Sequence, residues 1–345
     1  MNSKRYSIII ILFMMILTIS CSDSDRKSVK EYATGRISEI AVCTPLTVYA
    51  KIEGQLVDNL YEEVFLPVRE SVFKMKYVKF NELDMYKRSK NILFITNINR
   101  DDKYSKIINA FLSDENIERV EENGVMSFSV FDGFARGQNI LIIAGTDGEL
   151  IGEFIDLNGS AIRRFFIQNA HRPLHNMVFF TGLNKDLTKQ VKEKTGVAVD
   201  MPSDYTFSYY DSSTNTFSAI SHHPERIVTV SYREGMDSFT LEDFFKWRNK
   251  MGSRHWQGDY IDTSYIKLSM DTVEVNDYPA RQIIGVWSND ENNYGGPFIT
   301  YIIRTQDGML VMDGHIYNPG QRKFFKLMET ATILKTFSLP DTSGM

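Results

Sequence analysis

The sequence predicts an α+β protein of two domains, the second a mainly antiparallel sheet covered by helices in an α/β/α sandwich. Three observations carry this expectation. Helical spacing and strand alternation change places through residues 36–172, whereas short strands separated by turn residues dominate 205–317. A chain of 345 residues is long for one domain of ordinary size. Its 43% hydrophobic and 12% aromatic content is enough to fill real cores.

The first twenty residues read as a signal peptide rather than part of the fold. Lys4 and Arg5 form a positive start, Ile8 to Ile19 an uncharged apolar run, and Ser20 precedes Cys21. The run is shorter than the about 20 residues a spanning helix needs. A plain signal peptide or an uncleaved anchor also accounts for it, but a cysteine followed at once by "SDSD" favours a lipoprotein signal. Leu17 stands one place further from the cysteine than the usual lipobox leucine, and Thr18 takes its position. On this reading Cys21 receives lipid, and residues 21–35 form a polar tether. The chain is then anchored in the outer membrane, with the periplasmic and cell-surface sides both open. Only Cys43 remains, so no disulfide within the chain is expected. In the alternating segment "ISEIAVCTP" it reads as a small buried strand residue.

The N-terminal domain is assigned to 36–172. "RISEIAVCT" and "NILFITNI" have strand character, and "GQLVDNLYEEVF" (54–65) spaces Leu56, Leu60, Val64 and Phe65 for one helical face. "MSFSVFDGF" and "NILIIAG" predict a hairpin. Thr146 and Glu149 have capping-box spacing for a long helix carrying Leu150, Phe154, Leu157, Ile162 and Phe165. The C-terminal domain, 173–345, has a helix capped by Asn184 and ended by Gly196, then strands "YTFSYY", "TFSAIS" and "RIVTVSY". A middle helix follows, with Thr240 and Asp243 as its capping pair and Leu241, Phe244, Phe245 and Arg248 on one face. Strands "IKLSMDTVEV", "ARQIIGVW" and "FITYIIR" precede a hairpin at Asp307-Gly308 and a final helix over 320–336.

A net charge of −5, or −7 without the signal, and the lack of a basic run argue against a nucleic-acid partner. No nucleophile elbow, phosphate loop, dinucleotide fingerprint, HExxH or paired CxxC occurs, and no cofactor is expected. His171 and His175 have i, i+4 metal-ligand spacing, but Pro173 breaks it unless a helix starts there. "NDENNYGGP" (289–297) lacks the alternating ligands of a calcium loop and reads as a hairpin loop, with Gly295 and Gly296 permitting positive φ. The aromatics Trp256, Tyr260, Tyr265, Trp287 and Tyr294 are core residues or, where exposed, stacking platforms for sugar or peptide, with Trp287 the strongest core member.

"GVWSNDENNYGGPFITYIIR" and the segment after it, with "KTGVAVDMPSDYTF" and the lipoprotein start, resemble the Bacteroidetes lipoproteins grouped as domain of unknown function 4837. Trp287, Gly295, Gly296, Pro297, Phe298, Tyr317, Pro319 and Gly320 carry the resemblance, which is clearest over 184–337. It implies no catalytic residue. The element order of the second domain also resembles the PsbP/Mog1-type sandwich, whose members are mostly binding or assembly factors. Two function classes follow: a non-catalytic, lipid-anchored envelope protein with a protein or glycan partner, or a hydrolase of an envelope polymer. The second would use acids such as Asp259, Asp262, Asp290 and Glu291, converging only in the fold.

Overall fold

A computed structural model describes residues 30–61, 63–264 and 268–339; the signal, Cys21, most of the tether and Tyr265 lie outside the described residues. From Tyr32 onward the chain forms one compact unit. The fold therefore starts inside the segment expected to be tether, because Tyr32 and Thr34 already bridge to Arg136 and Ser89.

The N-terminal sheet has the order β4 (Lys74–Val78), β1 (Glu39–Cys43), β5 (Asn91–Asn97), β7 (Asn139–Gly145), β6 (Val125–Phe131). Its strands are parallel except β6, which pairs antiparallel with β7 as the expected hairpin. Alternate residues take opposite faces. Ile40, Val42, Leu93, Ile95, Leu141 and Ile143 pack with helices α1 (Leu46–Leu60) and α5 (Gly148–Gln168). Ala41, Cys43, Ile92, Phe94, Ile140 and Ile142 pack with α2 (Leu83–Tyr86), α3 (Lys103–Asn109) and α4 (Asp114–Asn123). Because both faces are covered, β5 and β7 are buried at every position. Burial raises the Cys43 thiol pKa far above its ordinary value, so Cys43 is structural.

Two helices differ from the sequence expectation. The helix placed at 54–65 is α1, which begins after Pro45 and ends at Leu60; its buried stripe is Val48, Ile52, Leu56 and Leu60. Val64 and Phe65 lie instead on strand β2 (Glu63–Phe65), paired with β3 (Arg69–Ser71). The long helix α5 is capped by Asp147, not Thr146, and buries Ile151, Ile155, Ile162 and Phe166. Leu157 is 83% exposed and Leu150 38%. Periodicity misplaced the face because Gly152 and Gly159 occupy buried positions, and a Cβ at Gly159 would strike Asn59 on α1. Small residues bring the two helices close, so the apolar count understates the packed face.

The C-terminal sheet is antiparallel, ordered β11 (Tyr260–Ile261), β13 (Tyr278–Asn289), β14 (Tyr294–Arg304), β15 (Gly308–Tyr317), β10 (Glu225–Glu234), β9 (Thr216–Ser221), β8 (Thr206–Asp211), with β12 (Ser269–Val275) also on β13. One face packs under α8 (Leu241–His255). The other packs on α7 (Lys185–Thr195) and α9 (Phe324–Leu334), and its residues Val228, Tyr301 and Met312 share a cluster with Ile52 and Leu56 of α1. The two sheets thus close on a common apolar core. At this seam Glu70 of β3 accepts the N–H of Lys323 and Phe324 at 2.8 and 3.2 Å, satisfying donors at the start of α9. Phe73 packs between Phe325 and Phe166, with ring centres 5.6 and 6.1 Å away. The caps expected at Asn184, Gly196 and Thr240 are present; Asn184 accepts from Leu187 N–H, and Gly196 has φ 81°.

Candidate functional site

Two places in the described residues concentrate polar groups beyond what packing requires. The first lies beneath α8. The Thr240–Asp243 capping box starts this helix, and its inner face delivers Phe244, Trp247, Arg248 and Met251 to the sheet. Strand alternation turns Val311, Asp313 and His315 of β15 toward the helix, while Leu310, Met312 and Gly314 face α9. Register then lines up Ser218, Thr229, Asp313 and Thr300 across four strands. Arg248 and Asp313 meet over this polar row, both with fully buried side chains, Nε to Oδ2 at 3.2 Å. Thr300 donates to the same carboxylate at 2.6 Å, and His315 Nδ1 lies 3.3 Å from its other oxygen. Above the guanidinium sits Phe298, 4.2 Å from its carbon, with Trp256 at 5.6 Å.

The electrostatics follow from this geometry. Burial opposes ionisation of Asp313, but the Arg248 charge and the hydrogen bonds from His315 and Thr300 outweigh it and hold the carboxyl below its ordinary range. Burial lowers the pKa of His315, so the ring is neutral at pH 7. Arg248 Nη1 and Nη2, the indole nitrogens of Trp256 and Trp287, and His315 Nε2 are buried without a hydrogen-bond partner among the described residues. Toward the surface, Asp259 accepts from Asn289 at 2.8 Å, and burial raises its pKa from 3.8 to about 6.

The sequence-derived candidates are partly gathered here. Trp256 and Trp287 flank His315, 4.5 Å and 5.6 Å from the imidazole, and Tyr294 packs 5.7 Å from Trp287. Trp256 and Trp287 are 5% and 1% exposed, so neither indole presents a face to a stacking ligand. Tyr294 is half-buried against Tyr317, and Tyr260 stands apart, donating to Asp290 at 2.8 Å. Three acids of the hydrolase reading lie along the β11–β13 pairing, each with its own partner: Asp259 is bonded to Asn289, Asp262 to Ser288 and Ser264, and Asp290 to Tyr260. Gly295 and Gly296 do not adopt positive φ; they lie in β14, where a Cβ would run into the carbonyls of Trp287 and Ile316. Arg248 was legible as a charge on an apolar helix face. Asp313 and His315 were missed, although polar residues at i and i+2 of the apolar run "MLVMDGHIY" are the signal that would have found them.

The second place is a groove of about 470 Å³ at the start of the parallel strands. Residues 32–34 run as an extended segment between two others, with Ala33 N–H on the Arg136 carbonyl at 2.9 Å and Thr34 N–H on the Arg88 carbonyl at 2.7 Å. Lys90 immediately precedes β5, and Asn139 opens β7. The opposite wall is Pro173, Asn176 and Met177 of α6 (His171–Val178), with Phe180 just beyond it. Arg88, Lys90 and Arg136 line the groove, and no acidic residue among the described residues does. Lys90 is 7% exposed; its Nζ donates to the Gly35 carbonyl, and burial lowers its pKa. Arg136 lies over the Tyr32 ring at 5.9 Å. His171 and His175 both fall on α6, since Pro173 sits in its first turn. His171 is tied to the Gln168 carbonyl, and no group of three metal-ligating side chains occurs among the described residues.

Residues 184–336 match the model of a domain of unknown function (DUF4837), and residues 33–178 that of another (DUF8532). No curated protein matches the chain. Similar solved structures include a Bacteroides thetaiotaomicron protein at 12% identity, covering 43% of this chain and 46% of that one, with TM-score 0.28. The match thus spans about half of the Bacteroides chain. Cyanobacterial PsbP from Synechocystis matches at 7% identity over 42% of this chain and 86% of its own, with TM-score 0.27. LpqN of Mycobacterium tuberculosis, a protein involved in cell envelope biogenesis, matches at 10% identity over 41% and 82%, also at 0.27. The chain thus combines two domains of unknown function in one mixed α+β fold.

Proposed function

We propose that the chain is a lipid-anchored, non-catalytic binding protein of the bacterial outer membrane, attached at Cys21 and using the groove beside Tyr32 as its ligand site. The observation that carries this reading is the lining of the groove. Three cationic side chains stand in a concavity of the size that holds small ligands, in a protein that is acidic overall. The apolar-to-polar junction at Cys21 supports the anchor, and a protein or glycan partner in the envelope is compatible with the half-buried Tyr260 and Tyr294. Cys21→Ser is expected to abolish acyl labelling and release the protein from the membrane fraction. Labelling that survives the substitution sinks the anchor.

One observation favours a second reading. Asp259 has its pKa raised to about 6 and lies at the end of α8 close to the half-buried Tyr294, the state of a carboxyl suited to proton transfer. On that reading the chain cleaves an envelope polymer. Solubilisation of purified envelope glycan by the intact protein, lost in Asp259→Asn, is the result that would select it.

A further inference from the structure

The groove combines charge and apolar surface in a way that narrows its ligand. Among the described residues Lys90 and Arg136 make no ion pair, and the Lys90 ammonium donates to a backbone carbonyl. A buried ammonium held by one neutral acceptor has given up much of its hydration without gaining a counter-charge, so an anion entering the groove meets a cation that is already partly desolvated. The rim is apolar: Phe180 is 82% exposed, Tyr32 51% and Met177 41%. A free inorganic anion has no use for such a rim, whereas a phosphate carrying acyl chains satisfies both halves at once.

Chain length adds the location. Tyr32, which forms one wall, follows Cys21 by eleven residues. Eleven residues reach at most roughly 40 Å when extended. A groove held that close to its own membrane meets headgroups at high effective concentration, so weak single contacts suffice.

We propose that this groove binds the phosphate headgroup of an anionic phospholipid of the membrane that carries the chain, with Arg136 and Lys90 on the phosphate and Phe180 and Met177 at the acyl boundary. The proposal deepens the binding reading above and rests on it. The lipid at Cys21 is then a first attachment, and the groove a second one that turns the folded unit toward the bilayer.

The test separates these attachments. The full chain bearing Cys21→Ser is titrated with dihexanoyl phosphatidylglycerol, dihexanoyl phosphatidylcholine and inorganic phosphate. Binding of the phosphatidylglycerol in preference to both others is expected. Arg136→Glu, at an exposed position, is expected to weaken it about tenfold, the effect of reversing one cation near a headgroup. Phe180→Ser is expected to weaken both lipids alike. Equal binding of the two lipids, phosphate binding as tight as phosphatidylglycerol, or indifference to Arg136→Glu overturns the proposal. Because Cys21 is absent throughout, none of these results depends on the anchor. Acyl labelling of the unsubstituted chain decides the anchor separately.

Discussion

The two sheets treat buried cations in opposite ways. Under α8, Arg248 has no exposed side-chain surface and is closed by Asp313, which Thr300 and His315 hold in place. At the start of the parallel strands, Lys90 is 7% exposed but faces a carbonyl, with Arg136 and Arg88 beside it and no acid in the lining among the described residues. The first arrangement has its counter-charge within the chain; in the second, Lys90 and Arg136 have no carboxylate partner among the described residues. Buried charge alone therefore does not mark the binding site. Whether the chain supplies the counter-charge does.

The largest expected effect breaks the closed side of the comparison. Asp313→Ala strands a buried guanidinium and should cost about 3–5 kcal/mol in denaturant unfolding. A cost below about 1 kcal/mol would mean that Arg248 has another counter-charge and that the pair is not what holds α8 to the sheet.

A smaller effect comes from Asp259, at the edge of the same region. Its folded pKa of about 6 lies above the ordinary 3.8, so between these values the native protein holds more protons than the unfolded chain. Stability contributed by this group is present at low pH and lost as pH rises through that window. Asp259→Asn keeps an acceptor for Asn289 and removes the titration. Its stability advantage over the unsubstituted protein should therefore grow with pH to about 1–2 kcal/mol once solvent screening is allowed for. A difference that stays flat from acid to neutral pH would place the carboxyl in contact with water.

The smallest effect sharpens the open side. Lys90→Met keeps the stem and removes a charge that has no ionic partner among the described residues. Its stability should change by less than about 1 kcal/mol, in either direction, while phosphatidylglycerol binding falls. A loss matching that of Asp313→Ala would show Lys90 to be closed internally after all, and the contrast between the sheets would disappear.

Much of the architecture was legible because its signals are local. The Thr240–Asp243 box, the Asn184 cap and the Gly196 stop each lie within a few residues of the groups they satisfy, and the strands of the second sheet alternate in their own sequence. The errors came where a neighbour far along the chain sets the requirement. Gly159 is buried because α1 crosses it, Gly296 because the Ile316 carbonyl passes above it, and Leu157 is exposed although its type suggests otherwise. Glu70 looked like one more surface acid until the fold set it at the start of α9, more than 250 positions away.

By itself, then, the sequence determined the alternating elements, most of their caps and the mixed α+β class, all of which depend on periodicity and short-range hydrogen bonding. Tertiary structure decided that Arg248 meets Asp313 across 65 positions and that Trp256 and Trp287 pack inward. It also decided that residues near 33, 89, 136 and 177 line one groove. The reason is physical: hydrophobic burial specifies which side of an element faces inward, but charge compensation depends on which elements become neighbours, and no single segment encodes that choice.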